Sequence, residues 1–230
     1  MLQVEGVSMS NCASAVEFRK IDNDHWYMHF ELPDDIISYL WNCAHNAEKD
    51  NIDYRSGLVG NISRSLVMKD EKNVIIDKVF GGLFHSDLQE VFIQRIEKTL
   101  NQVYPRDRTS NKAASPFLDS LWVNFQKKHE FNPLHNHSGL FSFVIWMKIP
   151  YEWENEKELP WVKGSNCEGN VGNFALVDRS LSSQIFFMNK NIEGHCVFFP
   201  SNFYHMVYPF YTSDEERISI SGNIYFELEE

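Results

Sequence analysis

Hydrophobic and polar positions change rhythm about halfway along this chain. In the first half, Val16–Ile21 and Trp26–Phe30 alternate as short strands, with Asp22-Asn23-Asp24 as the turn between them. Pro33-Asp34-Asp35 then opens a helix to about Lys49, with Ile36, Ile37, Leu40, Trp41 and Ala44 recurring at helical spacing. Proline in the first turn and two early acids suit the positive end of a helix. Residues 51–86 are less regular: Asn61–Met68 reads as a strand and Gly81-Gly82 as a turn. Asp87 reads as the N-cap of a second helix to about Tyr104, with Leu88, Val91, Phe92, Ile96 and Leu100 on its apolar side and Pro105 ending it. Residues 1–15 read as a loose lead-in and Arg106–Ser115 as a polar linker.

From Pro116 onward the texture is short aromatic and β-branched runs separated by turns. They are Leu121–Gln126, Leu140–Ile149, Phe174–Val177, Gln184–Met188, His195–Phe199, Phe203–Tyr208 and Arg217–Phe226. Runs of this kind predict a β-sandwich or barrel. Helices first and strands afterward imply an α+β fold, mainly β, with the helices bracing one sheet. No domain boundary is visible, so 1–230 reads as one domain, with 1–115 as helical support and outer strands and 116–230 as the β core. Tyr151–Gly172 is long, polar and glycine-bearing; a loop of that length is a substrate lid or a surface insertion.

Composition narrows the function. With 43% hydrophobic residues among 230 there is ample core material, and 21 Lys and Arg against 32 Asp and Glu leave a net charge of −11. That charge argues against nucleic-acid or anionic-membrane partners, which need a positive field. Cys12, Cys43, Cys167 and Cys196 are scattered and read as reduced thiols. The start Met1-Leu2-Gln3-Val4-Glu5-Gly6 lacks a signal-peptide pattern, and no apolar run is long enough for a membrane helix. The expectation is a soluble, cytoplasmic protein. There is no phosphate-binding glycine loop, no Cys-x-x-Cys pair and no Gly-x-Ser-x-Gly elbow.

The candidate chemistry lies in the second half. In Asn132-Pro133-Leu134-His135-Asn136-His137, the two histidines at i, i+2 project to one side of an extended chain, their Cα atoms roughly 6.5–7 Å apart. Both imidazoles can then reach one metal ion. Downstream, His205 sits between apolar neighbours, and Arg217 opens an apolar strand, where a charge is costly unless paired. If those two strands form a hairpin with His205 opposite Ser219, Arg217 falls on the face of His205, roughly 7 Å further along. A small dicarboxylate could then chelate a metal at His205 and take a forked pair from Arg217, with Ser219 adding a hydroxyl. A one-residue slip would put Arg217 on the opposite face.

Trp122 and Asn124, then Asn132, His135 and His137, then Gly194, Phe199, Pro200, Ser201 and His205, then Arg217, Ser219 and Asn223 form a pattern. Over residues 116–227 it resembles the Fe(II)- and 2-oxoglutarate-dependent oxygenases. The resemblance implies a double-stranded β-helix (a jelly-roll or cupin-like barrel). Fe(II) would sit near the mouth of that barrel on His135 and His205, with His137 the favoured third ligand, and 2-oxoglutarate would be anchored by Arg217 and Ser219, with Asn124 a candidate for the lining of its pocket. It also implies consumption of O2, release of succinate and CO2, and hydroxylation of a C–H bond, with a peptide or amino-acid side chain as the substrate by family analogy.

One position departs from the pattern. The usual set is two histidines and a carboxylate, and His137 stands where the acid would be. His137 itself, or Glu130 or Asp178 from elsewhere, could complete the set; otherwise the site has two protein ligands or has lost catalysis. Trp146 reads as core or pocket lining, and His129 and His195 as structural. Two other functions stay open: a cupin-like three-histidine dioxygenase that does not use 2-oxoglutarate, and a non-catalytic β-sandwich binding module. The enzyme readings require the three histidines to converge; the binding module predicts them scattered.

Overall fold

Alternate residues of the C-terminal strands have two different destinations, and this sets the layers of the protein. The computed structural model describes residues 3–7, 16–84, 89–103 and 114–228. Its strands are β1 (Gln3–Val7), β2 (Val16–Lys20), β3 (Trp26–Glu31), β4 (Ser65–Val67), β5 (Ala114–Gln126), β6 (Asn132–His135), β7 (Phe141–Lys148), β8 (Phe174–Val177), β9 (Ser183–Phe186), β10 (His195–Pro200), β11 (Tyr204–Val207) and β12 (Arg217–Leu228). The helices are α1 (Asp34–Asp50), α2 (Gly81–Phe84), α3 (Gln89–Val103) and α4 (Trp153–Glu156), and a π-helical stretch, Ile75–Phe80, runs into α2. An eight-stranded sheet has the order β1-β2-β3-β10-β7-β12-β5-β4, and a four-stranded sheet the order β6-β11-β8-β9. The strand pairs within both are antiparallel.

One face of the large sheet carries Trp26, Met28, Phe30, Val123, Phe125, Phe141, Phe143, Ile145, Phe198 and Ile220. These pack against Ile36, Leu40 and Ala44 of α1, Val79 and Phe80 of the π-helical stretch, and Phe92 of α3. The opposite face carries Tyr27, Val144, Trp146, Val197 and Phe199, which meet Phe174, Leu176 and Phe186 of the small sheet. Each fully buried side chain of this size contributes about 1.5–3 kcal/mol, so two cores share one sheet as their common wall. Where the helix-facing residues of β5 and β12 are Val123, Phe125 and Ile220, the alternate ones are Asn124, Gln126, Arg217, Ser219 and Ser221. Those polar residues line a cavity together with residues of β6 and β11.

Helix α1 starts and ends as its residues dictate. Pro33 occupies the N-cap position with φ −60°, and Asn51 closes the helix in the left-handed region, its N–H donating to the Ala47 carbonyl at 2.8 Å. The Gly81-Gly82 turn is corrected: both glycines lie in α2. Asp70 accepts the N–H groups of Val74 and Ile75, and burial of Ile75, Val79 and Phe80 outweighs the roughly 1 kcal/mol per glycine that helix formation costs. Residues 3–7 form edge strand β1 on β2 rather than part of a loose lead-in. The second helix is found over Gln89–Val103, while the N-cap at Asp87 and Leu88 lies outside the described residues.

The expected hairpin between the strands of His205 and Arg217 does not form. His205 pairs with His135 and Leu176 in the small sheet, whereas Ser219 pairs with Asn124 and Trp146 in the large one. The connection between β11 and β12 crosses from sheet to sheet, because Phe210 within it is wholly buried in the second core. Arg217 reaches the cavity of the histidines from the facing sheet.

Cys43, Cys167 and Cys196 are free, and Cys12 lies outside the described residues. Among the described residues, no helix is long and apolar enough to cross a membrane.

Candidate metal and anion site

His135 ends β6 and lies directly opposite His205 of β11, which sets their ring centroids 4.2 Å apart. His137 follows in the loop after β6, where its N–H donates to the Ser201 carbonyl at 2.9 Å. Its ring lies 4.9 Å from that of His205 and 5.0 Å from that of His135. One ring nitrogen from each of the three falls within 4.8 Å of the others. The histidines therefore converge, and the scattered arrangement expected of a binding module is absent.

Backbone carbonyls select the tautomers. His135 Nδ1 lies 2.7 Å from the Pro133 carbonyl and His205 Nδ1 3.1 Å from the Phe203 carbonyl. A carbonyl only accepts, so each Nδ1 carries the hydrogen and each Nε2 keeps its lone pair for a metal. Burial depresses the pKa of all three, holding His205 well below the ordinary imidazole value; for His137, burial and the nearby His135 push it down to about 4. Neutral imidazoles are the form a metal needs.

The cavity around them has a volume of about 50 Å³. Its wall holds three buried polar atoms without protein partners: Trp122 Nε1, Asn124 Oδ1 and Asn132 Oδ1. Such atoms are rare in a finished interior and mark a place for a polar ligand or water. Gly60 presses on the same wall; a Cβ there would fall 1.6 Å from Asn132 Oδ1.

Arg217 is 3% exposed. Its Nη1 donates to Tyr151 Oη at 2.6 Å and the Gly172 carbonyl at 2.8 Å, and its Nη2 to Gln126 Oε1 at 2.5 Å. All three acceptors are neutral. Among the described residues no carboxylate lies within ion-pair distance of it, so a buried cation borders the cavity without a paired anion. A buried charge in that state is costly until an anion meets it.

The remaining pattern residues form a support. Ser142 Oγ lies 2.8 Å from Ser201 Oγ and 2.7 Å from Asn223 Oδ1, and Asn223 Nδ2 donates to Ser120 Oγ at 2.9 Å. This chain ties β7, β12 and β5 to the turn whose carbonyl holds His137. Ser219 and Asn124 both line the cavity. Trp146 belongs to the second core, packing on Phe174 and Phe186, and also reaches the cavity wall.

Glu130 and Asp178 lie outside the histidine cluster. Glu130 accepts the N–H groups of Ser63 and Lys127, and Asp178 closes the turn to Ser182. His129 stacks edge-on to Tyr211, and His195 faces His29 across neighbouring strands at 3.1 Å. Sequence reasoning passed over Tyr151 and Gln126. The signal for Gln126 was present, since Trp122, Asn124 and Gln126 share one face of a strand whose other face is apolar. Nothing local marked Tyr151.

The depressed imidazoles carry a pH consequence. His29 is also held down to about 4, by burial and then by His195. Between about 4 and the ordinary imidazole value of 6.5 the unfolded chain binds protons that the folded chain refuses, so stability rises with pH across that window. Metal-free protein is expected to lose stability on acidification from pH 6.5 to about 4, by several degrees of Tm at roughly 2–4 °C per kcal/mol. Calorimetry at stepped pH checks this; a flat profile would show these rings are not buried neutral.

Residues 120–223 match the family described as "Putative 2OG-Fe(II) oxygenase". No curated protein matches the chain. Among solved structures, the chain is similar to an oxidoreductase of the 2OG-Fe(II) oxygenase family from Burkholderia pseudomallei, at 18% identity and a TM-score of 0.36. The alignment covers 56% of this chain and 57% of that one.

Proposed function

We propose that this protein, whose residues 120–223 match the family described as "Putative 2OG-Fe(II) oxygenase", is an Fe(II)- and 2-oxoglutarate-dependent oxygenase that hydroxylates a C–H bond and releases succinate and CO2. One observation carries the reading: the buried, anion-free Arg217 opens on the same cavity as the three converging histidines. A metal site alone would not need that cation. In this reading the two facing sheets are the major and minor sheets of a double-stranded β-helix.

His135, His137 and His205 hold Fe(II), Arg217 and Ser219 receive the distal carboxylate of 2-oxoglutarate, and Asn124 lines its pocket. Metal and cosubstrate together supply the activation of O2. The chain binds and orients. Three neutral imidazoles remove none of the ion's double charge, so the dianionic cosubstrate meets a site more positive than one with a carboxylate ligand. Leu58, Val59, Ile62 and Val207 give the cavity an aliphatic part. That lining suits an uncharged group, such as a peptide or amino-acid side chain.

The test is anaerobic titration of metal-free protein with Fe(II) and then 2-oxoglutarate, watching for a weak visible charge-transfer band. The band is the expected result. The all-imidazole set favours one other reading, a three-histidine dioxygenase without 2-oxoglutarate, which predicts iron binding and no band. That reading leaves Arg217 without its anion. Failure to bind iron would sink both.

A further inference from the structure

We infer that the segment from Tyr151 to Gly172 is the fixed seat of Arg217, with Tyr151 as the positioning residue, and that its anchored ends are not a lid over the site. The inference rests on the proposed role of Arg217 as the carboxylate anchor. An arginine side chain has about 2 kcal/mol of rotamer entropy to lose, so strand β12 alone does not aim the guanidinium. Two of its three acceptors come from the two ends of this one segment, the Tyr151 hydroxyl and the Gly172 carbonyl. Three of the five guanidinium N–H groups are thereby used, together with that to Gln126, and two are left for a ligand.

Tyr151 is built for the task. Its ring stacks on Phe210 at 4.5 Å, and its hydroxyl donates to the Gly172 carbonyl while accepting from Arg217. Burial pushes its pKa up to about 12 against the opposing effect of Arg217, so the hydroxyl keeps its hydrogen. Gly172, at φ +71°, allows the close approach: a Cβ there would lie 3.0 Å from Tyr151 Cε2 and 3.3 Å from Glu156 Cγ.

The segment is bolted down at further points. Glu156, wholly buried, accepts the backbone N–H groups of Tyr211 and Thr212 and the Thr212 hydroxyl. The Gly172 N–H donates to the Pro209 carbonyl. Every one of these partners lies on the connection that leads into β12 and Arg217. A lid needs ends that hinge, whereas here the ends are held best and exposed residues such as Trp161 lie between them.

Tyr151→Phe keeps the ring and its stack and deletes only the hydroxyl. The probes are 2-oxoglutarate and pyruvate, which has the same 2-oxo acid head without the distal carboxylate, each titrated anaerobically into Fe(II)-loaded wild type and variant. The expected result is a 2-oxoglutarate Kd raised about 10- to 100-fold, the range for losing a hydrogen bond to a charged group. Fe(II) affinity and pyruvate binding should not change. Unchanged 2-oxoglutarate affinity, or equal losses for both acids, would overturn the inference. A wild type that binds iron but shows no 2-oxoglutarate band fails earlier, and takes both the oxygenase reading and this one with it. Hydrogen exchange on wild-type protein gives a second, variant-free test. Amides around Tyr151 and Gly172 should be protected with or without 2-oxoglutarate; protection that appears only with the ligand would restore the lid.

Discussion

Alanine in place of His205 is expected to weaken Fe(II) binding by well over about 100-fold, more than the 10- to 100-fold that follows loss of a group merely supporting a ligand. His205 is 5% exposed, faces His135 across the strand pair, and has its Nδ1 committed to the Phe203 carbonyl. No other donor among the described residues completes the cluster, so two imidazoles are left to hold the ion. Anaerobic titration against a competing chelator measures the loss. The same substitution has an opposite effect on metal-free protein in acid. It removes a ring whose pKa burial holds well below the ordinary value, so the variant should unfold at a lower pH than wild type. Near-normal iron affinity would remove His205 from the ligand set.

Methionine in place of Arg217 is expected to raise the 2-oxoglutarate Kd by roughly 30- to several-thousand-fold, the range for truncating one partner of a buried hydrogen-bonded charge pair. Iron affinity should stay at the wild-type level, since the histidines reach the cavity from the opposite sheet. Stability should change little. Removal of a buried cation that has no paired anion offsets the donor that the buried Gln126 Oε1 loses, and the Gly172 carbonyl keeps its bond from Tyr151. Binding and melting curves on one preparation separate the two effects. Retained 2-oxoglutarate affinity would mean that the guanidinium serves the fold and not the ligand.

Much of this was legible in the chain because periodicity reports faces. Ile218 and Ile220 alternating with Arg217, Ser219 and Ser221 told which side of the last strand was polar, and His135-x-His137 told that two imidazoles share a side. Periodicity does not report partners. Any antiparallel neighbour satisfies the same pattern, so His205 beside Ser219 was as consistent with the residues as His205 beside His135. The choice was made by Phe210, whose burial pulls the connection across to the other sheet. Strand β6 was hidden by its four-residue length and by Pro133 within it. Tyr151 was illegible for a related reason, as its meaning depends on Gly172 and Arg217, 21 and 66 residues away.

The direct pairing of His135 with His205 gives a bound ion a mechanical meaning. Strand β6 is short and lies at the edge of its sheet, joined to the rest by β11 on one side and by the isolated bridge from Phe131 to Asn61 on the other. An ion on His135, His137 and His205 is a non-covalent cross-link, fastening that edge and the loop behind it to β11. By mass action such a link adds about 4.1 kcal/mol at a free metal concentration 1,000 times Kd. The opening energy of β6 then rises with metal affinity and free metal concentration, and whatever frays this edge weakens the hold on the metal.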